Sequence, residues 1–148
     1  DGRTVRFYDD VLHGKVVVID VFFSTCQGIC MPMNRTVKKV ADLLGERVGR
    51  DVFLVSITVD PEMDSTAVLK KYATALNAPA GWMFLTGSKE NVELVLKKLG
   101  QYVADKNDHS SVLIIGNETT GLWKKAYGLA SASELVKVIE SVIDDKAP

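Results

Sequence analysis

The sequence predicts a three-layer α/β sandwich on a central mixed sheet, and three observations carry that expectation. Segments with strand character alternate with amphipathic helical ones in the order β-α-β-α-β-α-β-β-α. The first strand, Lys15 to Phe23, is nearly all apolar, on both faces, with Asp20 the one break after Lys15, the signature of a central strand covered on both sides. The last two strands flank a turn-rich stretch, Gly116 to Gly121, and so should run antiparallel to each other.

The elements follow in order. Lys15 to Phe23 is bounded by Gly14 and by the Ser24-Thr25 pair. Met33 to Leu44 carries Val37, Val40, Ala41 and Leu44 at helical spacing and stops at Gly45. Asp51 to Val59 is a second strand, and Ser65 to Leu76 a second helix with Ser65 as its N-cap. Its Val68, Leu69, Tyr72, Ala73 and Leu76 share one side. A short strand, Trp82 to Leu85, precedes a helix from Ser88 to Leu99 with an apolar stripe of Val92, Val95, Leu96 and Leu99. Ser111 to Ile115 and Leu122 to Tyr127 are the last strands, and Ser133 to Ile143 closes the chain as a helix. No repeat, linker or low-complexity tract interrupts this order, so residues 1–148 read as one domain.

Composition narrows the function. A chain of 148 residues with 47% hydrophobic residues buries a core without staples. Eighteen basic residues against 19 acidic ones give a formal charge of −1, without the basic surplus of a nucleic-acid binder. The longest apolar run is broken by Asp20 and falls short of the roughly 18–20 residues of a membrane helix. Asp1-Gly2-Arg3 shows no signal-peptide pattern, and the missing initiator Met reads as processing.

The chemistry concentrates in Cys26 and Cys30, the two cysteines of the chain, which fall just past the first strand and open the following helix. Chemistry in an open α/β sheet gathers at the carboxyl ends of strands. A four-residue spacing on a helix is about 6 Å of rise and brings both side chains to one face. That suits a disulfide as well as chelation of one metal ion, and the helix N-terminus favours thiolate. Two buried structural cysteines would be the bland alternative, but their clustering at one strand–helix junction speaks against it.

His109 lies in a polar stretch, Lys106 to Ser110, directly before an apolar strand. A lone loop histidine is usually solvated. If Ser111 to Ile115 runs antiparallel to Lys15 to Phe23, however, His109 sits at the cysteine end. Two thiolates and one imidazole form a soft, low-coordinate set suited to Cu(I), whereas structural zinc needs a fourth ligand. His13 precedes the first strand, roughly 30 Å from Cys26 at about 3.3 Å per strand residue, and belongs at the opposite pole. Asp20 could relay a proton from a buried carboxyl of raised pKa, or be a hydrogen-bonded core residue. Met31 and Met33 could offer thioethers to copper, or fill the core.

These residues together resemble the Sco (SenC) family of copper-delivery proteins. The resemblance runs nearly the whole length. It rests on Phe23-Ser24-Thr25-Cys26-Gln27-Gly28-Ile29-Cys30, on Ile57-Thr58-Val59-Asp60-Pro61-Glu62-Met63-Asp64-Ser65 with the following helix, on Phe84-Leu85-Thr86-Gly87, and on Asp108-His109-Ser110. It implies a thioredoxin-like fold and copper, Cu(I) with Cu(II) left open, bound by Cys26, Cys30 and His109. It further implies a metallochaperone that assists copper-site assembly of cytochrome c oxidase. The partner would be the copper-receiving subunit or another copper protein. The place would be periplasmic or extracytoplasmic, at a membrane held through an N-terminal anchor absent from this chain.

The chain also departs from the family. Gln27 and Met31 stand where members usually carry proline after each cysteine, and the nearest proline is Pro32. Asp20 is similar instead to the buried aspartate of thioredoxins, although the spacing is Cys-x3-Cys and the loop before Ser111 has no proline. The alternative reading is therefore a thiol–disulfide oxidoreductase in which Cys26 attacks and Cys30 resolves. A peroxiredoxin-like peroxidase is weaker, because the proline and threonine arrangement that such enzymes carry before the cysteine is missing.

Overall fold

Strands β1 (Val16–Phe22), β2 (Phe53–Thr58), β3 (Trp82–Leu85), β4 (Val112–Asn117) and β5 (Leu122–Tyr127) form one sheet in the order β3-β2-β1-β4-β5. The computed structural model describes residues 4–24, 30–101 and 112–146. β1 and β2 are parallel, as are β2 and β3, whereas β4 runs antiparallel to both β1 and β5. The sheet is mixed, as the sequence predicts. β1 sits at its centre because nearly all of its residues are apolar, and all but Val16 are buried.

Helices α1 (Cys30–Leu44), α2 (Thr66–Ala75), α3 (Lys89–Lys98) and α4 (Ala132–Ile143) complete the layers. On one face, Met33, Val37 and Val40 of α1 and Leu135, Ile139 and Val142 of α4 pack on Val18, Leu54, Leu113 and Ile115. On the other, Val92 and Leu96 of α3 join Val11 and Leu12 against Val17, Ile19, Val21, Val55 and Ile57. Strand alternation sends successive residues to opposite layers, so each stretch of sheet contributes to both cores. α2 lies by the carboxyl ends of β1 and β3, where Leu69 packs with Phe22 and Phe23.

Several boundaries move for physical reasons. α1 opens at Cys30 rather than Met33, because Pro32 falls in its first turn, where a helix needs no N–H from it. Its end is softer than a stop at Gly45: that glycine takes φ +58° and leads into a short 3-10 turn, Gly45–Arg47. α4 starts at Ala132, capped by Ser131, whose hydroxyl accepts the Glu134 N–H. Ser111 lies outside the described residues, and β4 runs from Val112 past Ile115 to Asn117. Gly116 is accommodated within that strand because the Trp123 ring lies over it, in the space a Cβ would take. A π-helical turn, Phe7–Leu12, precedes β1 and buries Val11 and Leu12.

Candidate functional site

The parallel strands β1 and β2 end together, with Phe22 opposite Thr58. β1 then passes through Phe23 to Ser24, and α1 opens at Cys30. β4 enters the sheet at this same end, since its register with β1 places Ile114 beside Ile19 and Asn117 beside Val16. The antiparallel run on which the position of His109 depends is therefore present. Cys26 and His109 themselves lie outside the described residues, as do the side chains of Cys30 and Met31.

Hydrogen bonds tie both flanks of the Cys26 segment to the β2–α2 unit. On the β1 side, the Asp64 carboxylate accepts the Ser24 N–H at 3.0 Å, the Ser24 hydroxyl, and the Thr58 hydroxyl at 2.6 Å. Asp64 is fully buried at the end of the turn after β2, which closes on the Asp60 carbonyl. Thr58 Oγ1 accepts the Asp60 N–H at 2.9 Å, so this hydroxyl both donates and accepts. On the helix side, Asn34 is fully buried and donates from Nδ2 to the Tyr72 hydroxyl of α2 at 2.6 Å. Its Oδ1 has no hydrogen-bond partner among the described residues. The Tyr72 ring packs 5.0 Å from Phe22 and 6.1 Å from Phe84, and Phe84 stacks on Trp82 at 4.9 Å.

Beneath this end lies Asp20, 2% exposed and level with Ser56 on β2. The Trp82 indole N–H donates to Ser56 Oγ at 2.9 Å, and the Ser56 hydroxyl donates to Asp20 Oδ1. Oδ2 has no partner among the described residues. Burial raises the Asp20 carboxyl to about 7, against a smaller lowering by the Ser56 hydrogen bond. Asp20 is thus both a hydrogen-bonded core residue and a carboxyl that titrates near neutrality.

Two other candidates leave the site. Met33 is fully buried against Val37 and the sheet, so it is core and not an accessible thioether. His13 lies at the opposite pole as expected, its side chain 67% exposed and its Nδ1 3.9 Å from Glu118 just beyond β4. No group of three histidine, cysteine or acidic side chains that could hold a metal occurs among the described residues. A metal held here needs the donors named from the sequence. The sequence reading did not single out Asp64, Asn34 or Tyr72 for these contacts. Only Asp64 had a signal: an acidic residue directly before a helix N-cap serine, in a segment already recognisable.

The family model described as SCO1/SenC matches residues 1–144. The chain belongs to the SCO1/SenC family. Among curated proteins, the SCO1 protein homolog of Bacillus subtilis is 34% identical over 118 residues, covering 76% of this chain and 58% of that protein. This SCO1/SenC chain therefore spans less than two-thirds of that relative's length. Among solved structures, a SCO1/SenC family lipoprotein from Bacillus anthracis superposes with TM-score 0.76 at 27% identity, covering 90% of this chain and 84% of that one. BsSco, described through a disulfide switch and as a member of the Sco family of cytochrome c oxidase assembly proteins, gives TM-score 0.70 at 28% identity over 90% and 83%. Arabidopsis thaliana ScoI with copper bound gives TM-score 0.74 over 89% and 86%, and at 24% identity the likeness is one of fold. The family thus includes a lipoprotein, and its members share the thioredoxin-like architecture seen here. No described helix of this chain is long and apolar enough to cross a membrane.

Proposed function

We propose that this chain is a copper-binding metallochaperone that holds copper through Cys26, Cys30 and His109 and assists copper-site assembly of cytochrome c oxidase. One observation carries the reading: β4, the strand after the His109 segment, starts at the end of the sheet where β1, the strand before Cys26, stops. Two thiolates and an imidazole form a soft donor set that suits Cu(I). The buried carboxylate of Asp64 at that pole is taken up by its three hydrogen bonds and adds no hard donor. The oxidase-assembly description of BsSco, at 28% identity, supports the same reading. The lipoprotein relative supports an extracytoplasmic position at a membrane, held by an N-terminal anchor of the full-length protein. The receiving partner would be a copper-site subunit of the oxidase or another copper protein.

Anaerobic titration of the reduced protein with Cu(I) tests this directly. One copper per chain is expected, with tight binding lost in Cys26→Ala and in Cys30→Ala. His109→Ala should weaken affinity at least about tenfold, or about 1.4 kcal/mol, and leave disulfide exchange intact. Stoichiometric copper in the double cysteine variant overturns the proposal.

A second reading, a thiol–disulfide oxidoreductase, is favoured by one specific feature, the buried Asp20 below the same pole. Here the Cys26 thiolate attacks a client disulfide and Cys30 resolves the mixed disulfide, leaving a client dithiol and a Cys26–Cys30 disulfide. Unchanged copper affinity in His109→Ala, together with slowed reduction of a model disulfide in Asp20→Asn, would make this the better reading.

A further inference from the structure

β3 is an edge of the sheet, and its outer side opens into a cleft. The Leu54 N–H donates to the Gly81 carbonyl at 3.0 Å, and Leu54 is in register with Trp82. Backbone groups alternate in direction along a strand. Those of Gly81, Met83 and Leu85 therefore face β2, whereas the Trp82 carbonyl and both groups of Phe84 point away from it. They lie along a cleft of about 970 Å³ walled by Leu69 and Ala73 of α2 on one side and Val92 and Val95 of α3 on the other. Lys70 is the one charged residue among the described residues lining it. Ser88 and Asn91 also line it, which turns the positive end of α3 toward the space. At the carboxyl end of β3, Thr86 Oγ1 is buried without a hydrogen-bond partner among the described residues.

We propose that this cleft docks an extended segment of a partner protein as an added strand on β3, with a carboxylate of that segment toward Lys70. Strand addition uses main-chain hydrogen bonds for affinity and alternate side chains for specificity. The two walls match that alternation, because one set of side chains would meet α2 and the other α3. The walls also decide between occupants. α2 and α3 flank β3 on both sides, so a second copy bringing its own edge strand would bring its helices into them, whereas a lone extended chain fits between. Among the described residues that line it, the cleft holds one lysine, a helix N-terminus and no carboxylate, which complements an acidic group. β3 is parallel, through β2, to β1, so a segment lying along it reaches the pole where β1 ends. The docking stands on this geometry without the copper reading.

The metal-free protein, screened against a displayed library of random decapeptides, provides the test. Selected peptides should alternate apolar residues, carry an acidic one, and shift the amide resonances of Phe84 and Thr86. Affinity should fall at least about tenfold in Ala73→Arg, which fills the cleft from α2, and in Leu94→Arg, which fills it from α3. Lys70→Glu should select against the acidic peptides, and Tyr127→Ser, exposed on the far edge strand, should change nothing. Circular dichroism melts matching the parent establish that each variant is folded. No enrichment over Ala73→Arg, resonance shifts that map away from β3, or a concentration-dependent dimer lost in Ala73→Arg each overturn the proposal, the last by assigning the cleft to a second copy.

Discussion

Asp20 puts a carboxyl group into the layer between the sheet and the helices, with Ser56 as its hydrogen-bond partner. Its folded-state pKa, about 7, stands above the ordinary carboxyl value of 3.8 because burial disfavours the charged form. The linkage sign follows: the folded state holds this proton more tightly, so the contribution is full below about pH 4 and is lost as pH rises through 7. The parent protein should therefore lose up to about 4 kcal/mol between those limits. Asp20→Asn keeps a neutral group of the same shape and should flatten that slope, with its largest relative gain above pH 7. Urea melts of the two proteins at pH 5 and pH 8 check it, and parallel pH dependences would refute it. The sequence shows Asp20 plainly as a break in an apolar strand. It hides Ser56 and Trp82, because those partners come from other strands and meet only in the folded register.

Asp64 acts on elements more than on its own neighbours, joining the exit of β1 to the turn between β2 and α2. Asp64→Ala removes three acceptor contacts and leaves the buried Thr58 hydroxyl without its acceptor, at a cost of about 2–4 kcal/mol. Thermal unfolding should show that loss, and copper affinity should fall as well if the Ser24 side holds the Cys26 segment in place. An unchanged melting temperature would mean that water replaces the carboxylate. The elements themselves were legible where periodicity or a cap marks them. Ser65 was read as a cap from its place before an apolar stripe, and its hydroxyl accepts the Val68 N–H at 3.3 Å. The turn at Phe7–Leu12 was not legible, since a single π-helical turn has no repeat to betray it. Nor was the Asn34–Tyr72 bond, which joins two helices and leaves no trace in either one's spacing.

Over the whole molecule, the order of elements along the chain and the three layers were readable because a doubly covered parallel strand and an antiparallel pair each leave a distinct pattern, whereas the full strand order in the sheet was not. The site residues Cys26 and His109 lie outside the described residues, and what the fold supplies is the order of β1 and β4 that their reading requires. One prediction belongs at this scale, because it concerns two states of the entire protein. Mild oxidation should form a Cys26–Cys30 disulfide within the chain, the oxidant taking two electrons and two protons, seen by mass spectrometry as the loss of two hydrogen atoms without a dimer. That form should take up no copper, since both thiolates are consumed. Two free thiols persisting after oxidant would count against it. The sheet also has two unlike edges. β5 carries Lys124 and Lys125, which discourage a stray strand, whereas β3 presents Trp82-Met83-Phe84-Leu85 and relies on α2 and α3 standing beside it. Until those helices dock during folding, β3 is a bare apolar edge open to other chains. Yield on refolding at high protein concentration will thus depend on how quickly the flanking helices arrive, and aggregation will begin at this strand.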